Sequence, residues 1–136
     1  MTGWTDTHCH LDAPALAGDW PGILKRAHEA GVARIIIPGV TGPVPDGGWP
    51  EESVRRAWGV HPAYGGDVTA DQIRRTWDQR GYEAIAIGEC GLDVTSGVSM
   101  EHQITLFTAQ AEIAQSAGLP LLIHLRGAWE TARMIL

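Results

Sequence analysis

Positive charge is scarce in this sequence. Ten Lys and Arg residues stand against sixteen Asp and Glu among 136, a formal net charge of −6. That balance argues against broad electrostatic binding to duplex nucleic acid, where affinity comes largely from neutralising phosphates. It leaves room for an enzyme that grips one phosphodiester through bound cations. Cysteine is scarcer still. Cys9 and Cys90 are the two, too few for a disulfide framework. On extended backbone each would point away from the His or Glu beside it, so both are read as small hydrophobes packed under helices. No apolar run reaches spanning length, so no transmembrane helix is expected. The opening Met-Thr-Gly-Trp-Thr-Asp carries neither a basic patch nor an apolar signal core, and a cytoplasmic location is the expectation. Ser- or Pro-rich linkers and sequence-level repeats are also lacking, which predicts one domain over 1–136.

Hydrophobic residues make up 44% and charged residues 19%, enough for a packed core. Five segments read as strands: Thr5–His10, Ala33–Ile37, Ala57–Val60, Ala84–Gly88 and Leu121–Leu125. Most are apolar on both faces, as buried parallel strands are. Helical patterns fall between them. In 21–30, Ile23, Leu24, Ala27 and Ala30 make a stripe between Pro21 and Gly31. In 70–80, Thr69 and Gln72 suggest a capping box and Gly81 a stop. In 100–117, Ser99 can cap, and Ile104, Phe107, Ala111 and Ala114 recur at helical spacing before Gly118 and Pro120. A further helix opens in 128–136. The stretch 38–50 differs: eight of its thirteen residues are Gly or Pro, which predicts a loop at the C-terminal end of a strand. Strand and helix alternating in this way imply right-handed parallel crossovers.

Several polar residues stand where chemistry is done. His8 and His10, one residue apart, project to the same side of a strand and could share one divalent cation. Asp6 and Asp12 join that side only if the strand stays regular. A hydrogen-bonded histidine pair would give the same pattern. His61, Glu89 and His124 each follow an apolar run, at the C-terminal end of a separate expected strand. In a parallel barrel those ends open on one face, so a carboxylate and three or four imidazoles would converge there. Gly91, just after Glu89, suggests a close backbone approach. Arg126, two positions past His124, could hold a phosphate in the same mouth. Asp93 reads as structural, and His28 and His102 as surface residues on helices. Trp4, Trp20, Trp49 and Trp129 lie outside any helical stripe and read as packing residues.

These motifs have a family likeness. Asp6-Thr-His-Cys-His-Leu-Asp12, Gly59-Val-His-Pro62, Ala86-Ile-Gly-Glu-Cys-Gly-Leu-Asp93 and Pro120-Leu-Leu-Ile-His-Leu-Arg-Gly-Ala-Trp-Glu130 run in order along essentially the whole chain. Together they resemble the TatD family of metal-dependent hydrolases. The resemblance implies a (β/α)₈ barrel with a two-metal site at its C-terminal face and DNase or related phosphodiesterase activity. It implies that His8 and His10 bind one ion, that Glu89 bridges both, and that His124 binds the second. His61 and Arg126 would face the substrate, with Glu89 and His61 as catalytic residues. The implied cofactors are two divalent ions, Mg, Mn or Zn, and the substrate is DNA or a small phosphodiester. Such a barrel takes about 250 residues, so the expected fold is α/β, a truncated TIM-type barrel of about five parallel strands. The family's next histidine, on its sixth strand, and its aspartate, on the eighth, have no counterpart in the sequence. The loop at 38–50 replaces a stretch that usually bears a helix.

Two other readings stand beside the nuclease. A hydrolase of amides, lactones or small phosphoesters would share the site. An inactive fragment that binds metal only in part would fit the missing ligands. Partial barrels expose the edges of their first and last strands, which promotes association. We expect this chain, taken alone, to be poorly stable, oligomeric or inactive. A monodisperse monomer in sedimentation with full nuclease turnover would contradict that expectation.

Overall fold

Parallel strands form where the β-branched runs are, but their limits differ from those expected. The computed structural model describes residues 3–136 apart from the side chains of Ala17 and Tyr82, so the first two residues of the expected 1–136 domain lie outside the described residues. The strands are β1 (Trp4–Asp6), β2 (Val32–Ile37), β3 (Thr41–Pro43), β4 (Val54–Arg56), β5 (Trp58–Val60), β6 (Ile87–Asp93) and β7 (Leu121–Arg126). The α-helices are α1 (Trp20–Glu29), α2 (Ala70–Arg80), α3 (Met100–Ala117) and α4 (Trp129–Ile135).

β1, β2 and β4 pair in parallel, as do β5, β6 and β7. The two groups meet within 54–60. The Ala57 N–H donates to the Ile37 carbonyl at 2.8 Å, and the Trp58 N–H donates to the Ala86 carbonyl at 3.0 Å. One stretch of chain thus leaves β2 and joins β6. The parallel order is β1, β2, β4/β5, β6, β7, which is sequence order, with α1, α2 and α3 in three of the crossovers. This is the expected five-stranded part of a β/α barrel. Among the described residues the strands do not close, since β1 and β7 each pair on one side only. No helix is long and apolar enough to cross a membrane among the described residues.

Four expectations need correction. The first strand ends at Asp6, short of the histidines. The fourth runs over Ile87–Asp93 rather than 84–88, so Glu89 lies inside a strand and not at its end. His124 likewise lies within β7. The loop at 38–50 contains β3, antiparallel to β5, and Val54–Arg56 is a strand that its two arginines disguised.

The helices cover the sheet through three apolar clusters. Trp58, Val60 and Ile87 pack against Ile73 of α2 and Leu106, Ala109 and Ile113 of α3. Cys90 and Leu92 pack against Phe107 and against Ala132 of α4. Leu11, Ile37 and Val54 receive Trp20, Ile23 and Leu24 of α1, together with Trp49. Trp4 and Trp129 are exposed instead. The α2 capping box is complete, with Thr69 Oγ1 accepting from Gln72 N and the Gln72 side chain from Thr69 N. Ser99 accepts from His102 N at 3.3 Å, and Gly118 ends α3 in the left-handed region at φ 65°. The buried face of α3 differs from the expected stripe, because Gln103 and Gln110 lie in it.

Truncating Phe107 to Ala should cost about 3–5 kcal/mol, the usual range for a fully buried aromatic. Thr69→Ala should cost about 1 kcal/mol, the usual value of an N-cap. Urea unfolding with an unchanged slope checks both, and equal costs would contradict the packing described.

Candidate metal centre

Glu89 stands at an irregularity in β6. Gly88 lies opposite Leu122 and Cys90 opposite Ile123, so Glu89 is an extra residue in the ladder. Such a bulge bends its strand and re-aims a side chain. The turn after β2 holds it from one side: the Glu89 N–H donates to Gly39 O at 2.7 Å, and Gly39 N–H donates to Gly88 O at 2.8 Å. β7 presses from the other. Gly91 has φ 141°, and a β-carbon there would run into the carbonyl of His124. The close approach suggested by that glycine is therefore to the histidine-bearing strand itself.

The Glu89 side chain is buried, and each of its oxygens faces a different pair of imidazoles. Oε2 lies 3.1 Å from His8 Nε2 and 3.4 Å from His10 Nε2. Oε1 lies 2.9 Å from His124 Nδ1 and 3.6 Å from His61 Nε2. His8 and His10 keep their common direction although β1 has ended. The Cys9 N–H between them donates to Ile36 O at 3.1 Å, which extends the pairing with β2. Their rings meet edge to face at 5.2 Å. Asp6 accepts from His8 N at 3.1 Å and so braces this segment. Asp12 is not among the groups that converge on Glu89.

His61 follows β5 directly. The Ala63 N–H donates to its Nδ1 at 3.0 Å, so in the neutral ring the proton sits on Nε2. That Nε2–H points at His124 Nδ1, 3.0 Å away. Burial pushes His61 below the ordinary imidazole value, Glu89 pulls it up, and His124 pushes it down again. His61 is thus placed as a neutral donor. His124 is held from its far side, where Nε2 lies 3.1 Å from Asp93 Oδ2. The Thr95 hydroxyl and N–H bring the Asp93 carboxyl down to about 2, while burial acts the other way.

The donor set suits a divalent cation. His8, His10 and Glu89 form one group that could hold an ion, and Glu89, His124 and His61 form a second. The N···O separations from Glu89 to His8, His10 and His124, 2.9–3.4 Å, lie close to the spacing of neighbouring ligands of one ion, whereas His61 at 3.6 Å lies beyond it. Bonds of about 2.0–2.1 Å put such neighbours about 3.0–3.4 Å apart. Neither cysteine joins. Burial, with Glu89 adding, pushes the Cys90 thiol up to about 12. Burial, then Asp6 and Asp12, also raises Cys9.

The structure therefore brings together His8, His10, His61, Glu89 and His124. Arg126 is exposed at the end of β7, opposite Asp93 in register, outside this cluster. His28 is exposed as expected, whereas His102 is half-buried with Nε2 3.0 Å from Gly65 O. Sequence reasoning underrated Asp93 and missed Gln103 and Gln110. The Gln110 amide clasps both backbone groups of Val60, at 2.7 and 3.1 Å. The Gln103 amide clasps Asp93 in the same way, at 2.7 and 3.1 Å. Two glutamines seven residues apart on the apolar face of α3 were the available signal, because a buried amide must find partners.

Known proteins similar to this chain identify its family. The Escherichia coli K12 protein named "Uncharacterized metal-dependent hydrolase YjjV" is 33% identical over 129 residues, covering 89% of this chain and 50% of that protein. The Erwinia billingiae protein named "3'-5' ssDNA/RNA exonuclease TatD" is 32% identical over 133 residues, covering 90% of this chain and 50% of its own length. The crystal structure of E. coli YjjV superposes with a TM-score of 0.79 at 30% identity, over 96% of this chain and 54% of that one. A TatD-family hydrolase from Entamoeba histolytica shares the fold, with a TM-score of 0.75 at 20% identity, over 98% of this chain and 53% of its own. The chain thus spans about half the length of these relatives. Residues 5–136 match the family described as TatD related DNase, and to that family this chain belongs.

Proposed function

We propose that this chain carries the metal-binding half of a phosphodiesterase site, with Glu89 bridging two divalent ions. The observation that carries the reading is the split of Glu89, one oxygen toward His8 and His10 and the other toward His124. His8, His10 and Oε2 would hold one ion, and His124 and Oε1 the other. Mg, Mn or Zn all suit such mixed ligation. Divalent ions in such a pair polarise the phosphoryl oxygen and lower the pKa of bound water.

The chain's own residues do the rest. Glu89 would supply the negative charge that holds two cations close. His61 presents Nε2–H to the same space and can donate to a phosphoryl oxygen or a leaving group. Arg126, free of the cluster and exposed, can reach a phosphate from the rim. The E. billingiae relative is named for single-stranded DNA and RNA. A single-stranded end as substrate also fits the net charge of −6, which disfavours a long duplex grip.

Equilibrium dialysis against Mn²⁺ or Zn²⁺ should show two ions of unequal affinity per chain, the tighter held by three protein ligands. The pair His8→Ala and His10→Ala should remove the tighter one. Glu89→Gln should lower manganese-dependent hydrolysis of a short single-stranded oligonucleotide by about 10³-fold, since charge stabilisation by such ions is worth several kcal/mol. Metal uptake indifferent to both changes would overturn the reading. Uptake with hydrolysis of only amide or lactone substrates would replace the nuclease with another hydrolase.

A further inference from the structure

His124 meets carboxylates at both ring nitrogens. Nε2 lies 3.1 Å from Asp93 Oδ2, and Nδ1 lies 2.9 Å from Glu89 Oε1. A neutral imidazole carries one proton, so it can donate to only one of them. The two carboxylates are held differently. Asp93 Oδ1 accepts from Thr95 N at 2.8 Å and from Thr95 Oγ1 at 2.7 Å, which leaves Oδ2 free to turn to the ring. The Asp93 backbone is gripped in turn by Gln103, whose N–H groups also reach Ser96 Oγ at 2.8 Å and Val98 O at 2.7 Å. Nearly every polar group around Asp93 is thus committed, and its one open acceptor is aimed at His124 Nε2. On the other side, the Nε2–H of His61 already points at His124 Nδ1 and fills the donor's place there.

We propose that Asp93, fixed by Thr95 and Gln103, is a positioning residue that locks His124 in the Nε2–H form and so keeps Nδ1 unprotonated beside Glu89, an acceptor for the His61 N–H and a lone pair available to an ion. The proposal deepens the metal-site reading and rests on it for its purpose, though not for the tautomer. A ligand imidazole is oriented by the acceptor on its other nitrogen, and loss of that acceptor typically weakens metal binding by about 10–100-fold. The same clamp explains why α3 carries a buried glutamine over the end of β6: it sets the Asp93 backbone, and hence the carboxylate, at a fixed height under the ring.

The test uses the full chain. Long-range ¹H–¹⁵N correlation spectra of chelator-treated protein report each histidine's tautomer, with His124→Gln identifying the signal. Wild type should show His124 protonated at Nε2, and Asp93→Asn should populate the Nδ1–H form. Zinc titration against a chromophoric chelator should then show the weaker ion bound about 10–100-fold less tightly in Asp93→Asn, with the tighter ion unchanged. Thr95 is exposed and gives a milder variant: Thr95→Val should move both readouts in the same direction by less, and Thr95→Ser should restore them. An Nδ1–H tautomer in wild type, or Asp93→Asn and Thr95→Val with unchanged tautomer and zinc affinity, would overturn the proposal. A wild-type chain that takes up no zinc would overturn the metal reading instead, and the metal-free spectra would still decide this one.

Discussion

Burying a carboxylate costs several kcal/mol unless charge or hydrogen bonds answer it, and Glu89 is buried at the point where three parts of the chain meet. Imidazoles from the segment after β1, the residue after β5 and the middle of β7 all turn toward it. None of these segments contacts Glu89 through sequence proximity. The carboxylate is therefore both the centre of the site and the reason its surroundings must be held in place. A group that demands compensation from several directions specifies the arrangement of the strands that bring it.

The frame that meets this demand is α3. Its apolar residues cover β5 and β6, while Gln103 and Gln110 hydrogen-bond the backbone where those two strands end. Each amide satisfies a donor and an acceptor that the sheet leaves open. Buried amides are expensive when unpaired and rigid when paired. One helix thus sets the relative positions of His61, which follows Val60, and of Asp93, which holds His124. Packing and chemistry share the same element, so the site's precision is inherited from the core.

Family membership also clarifies the open side. The relatives are about twice as long as this chain. β7 has a partner on one side only among the described residues, and Ile123 within it and Trp129 just after it are exposed. Glu89 has two imidazoles on each side, His8 and His10 on one and His61 and His124 on the other.

Much of this was legible in the sequence. Apolar runs located five parallel strands, caps and glycines bounded α2 and α3, and the His-x-His, Gly-Glu-Cys-Gly and Ile-His-Leu-Arg motifs carried both the family and the converging residues. Local pattern is enough there, because periodicity and capping are local effects. The tertiary structure alone decided the bulge that aims Glu89, the continuity of 54–60 across two strand partners, and the two-sided grip on His124. The structure also turned Asp93 from a structural residue into a neighbour of the site, and two glutamines from helix formers into clasps. These features depend on which strand lies beside which, and in what register. A hydrogen bond between residues 31 or 50 apart leaves no periodic trace along the chain.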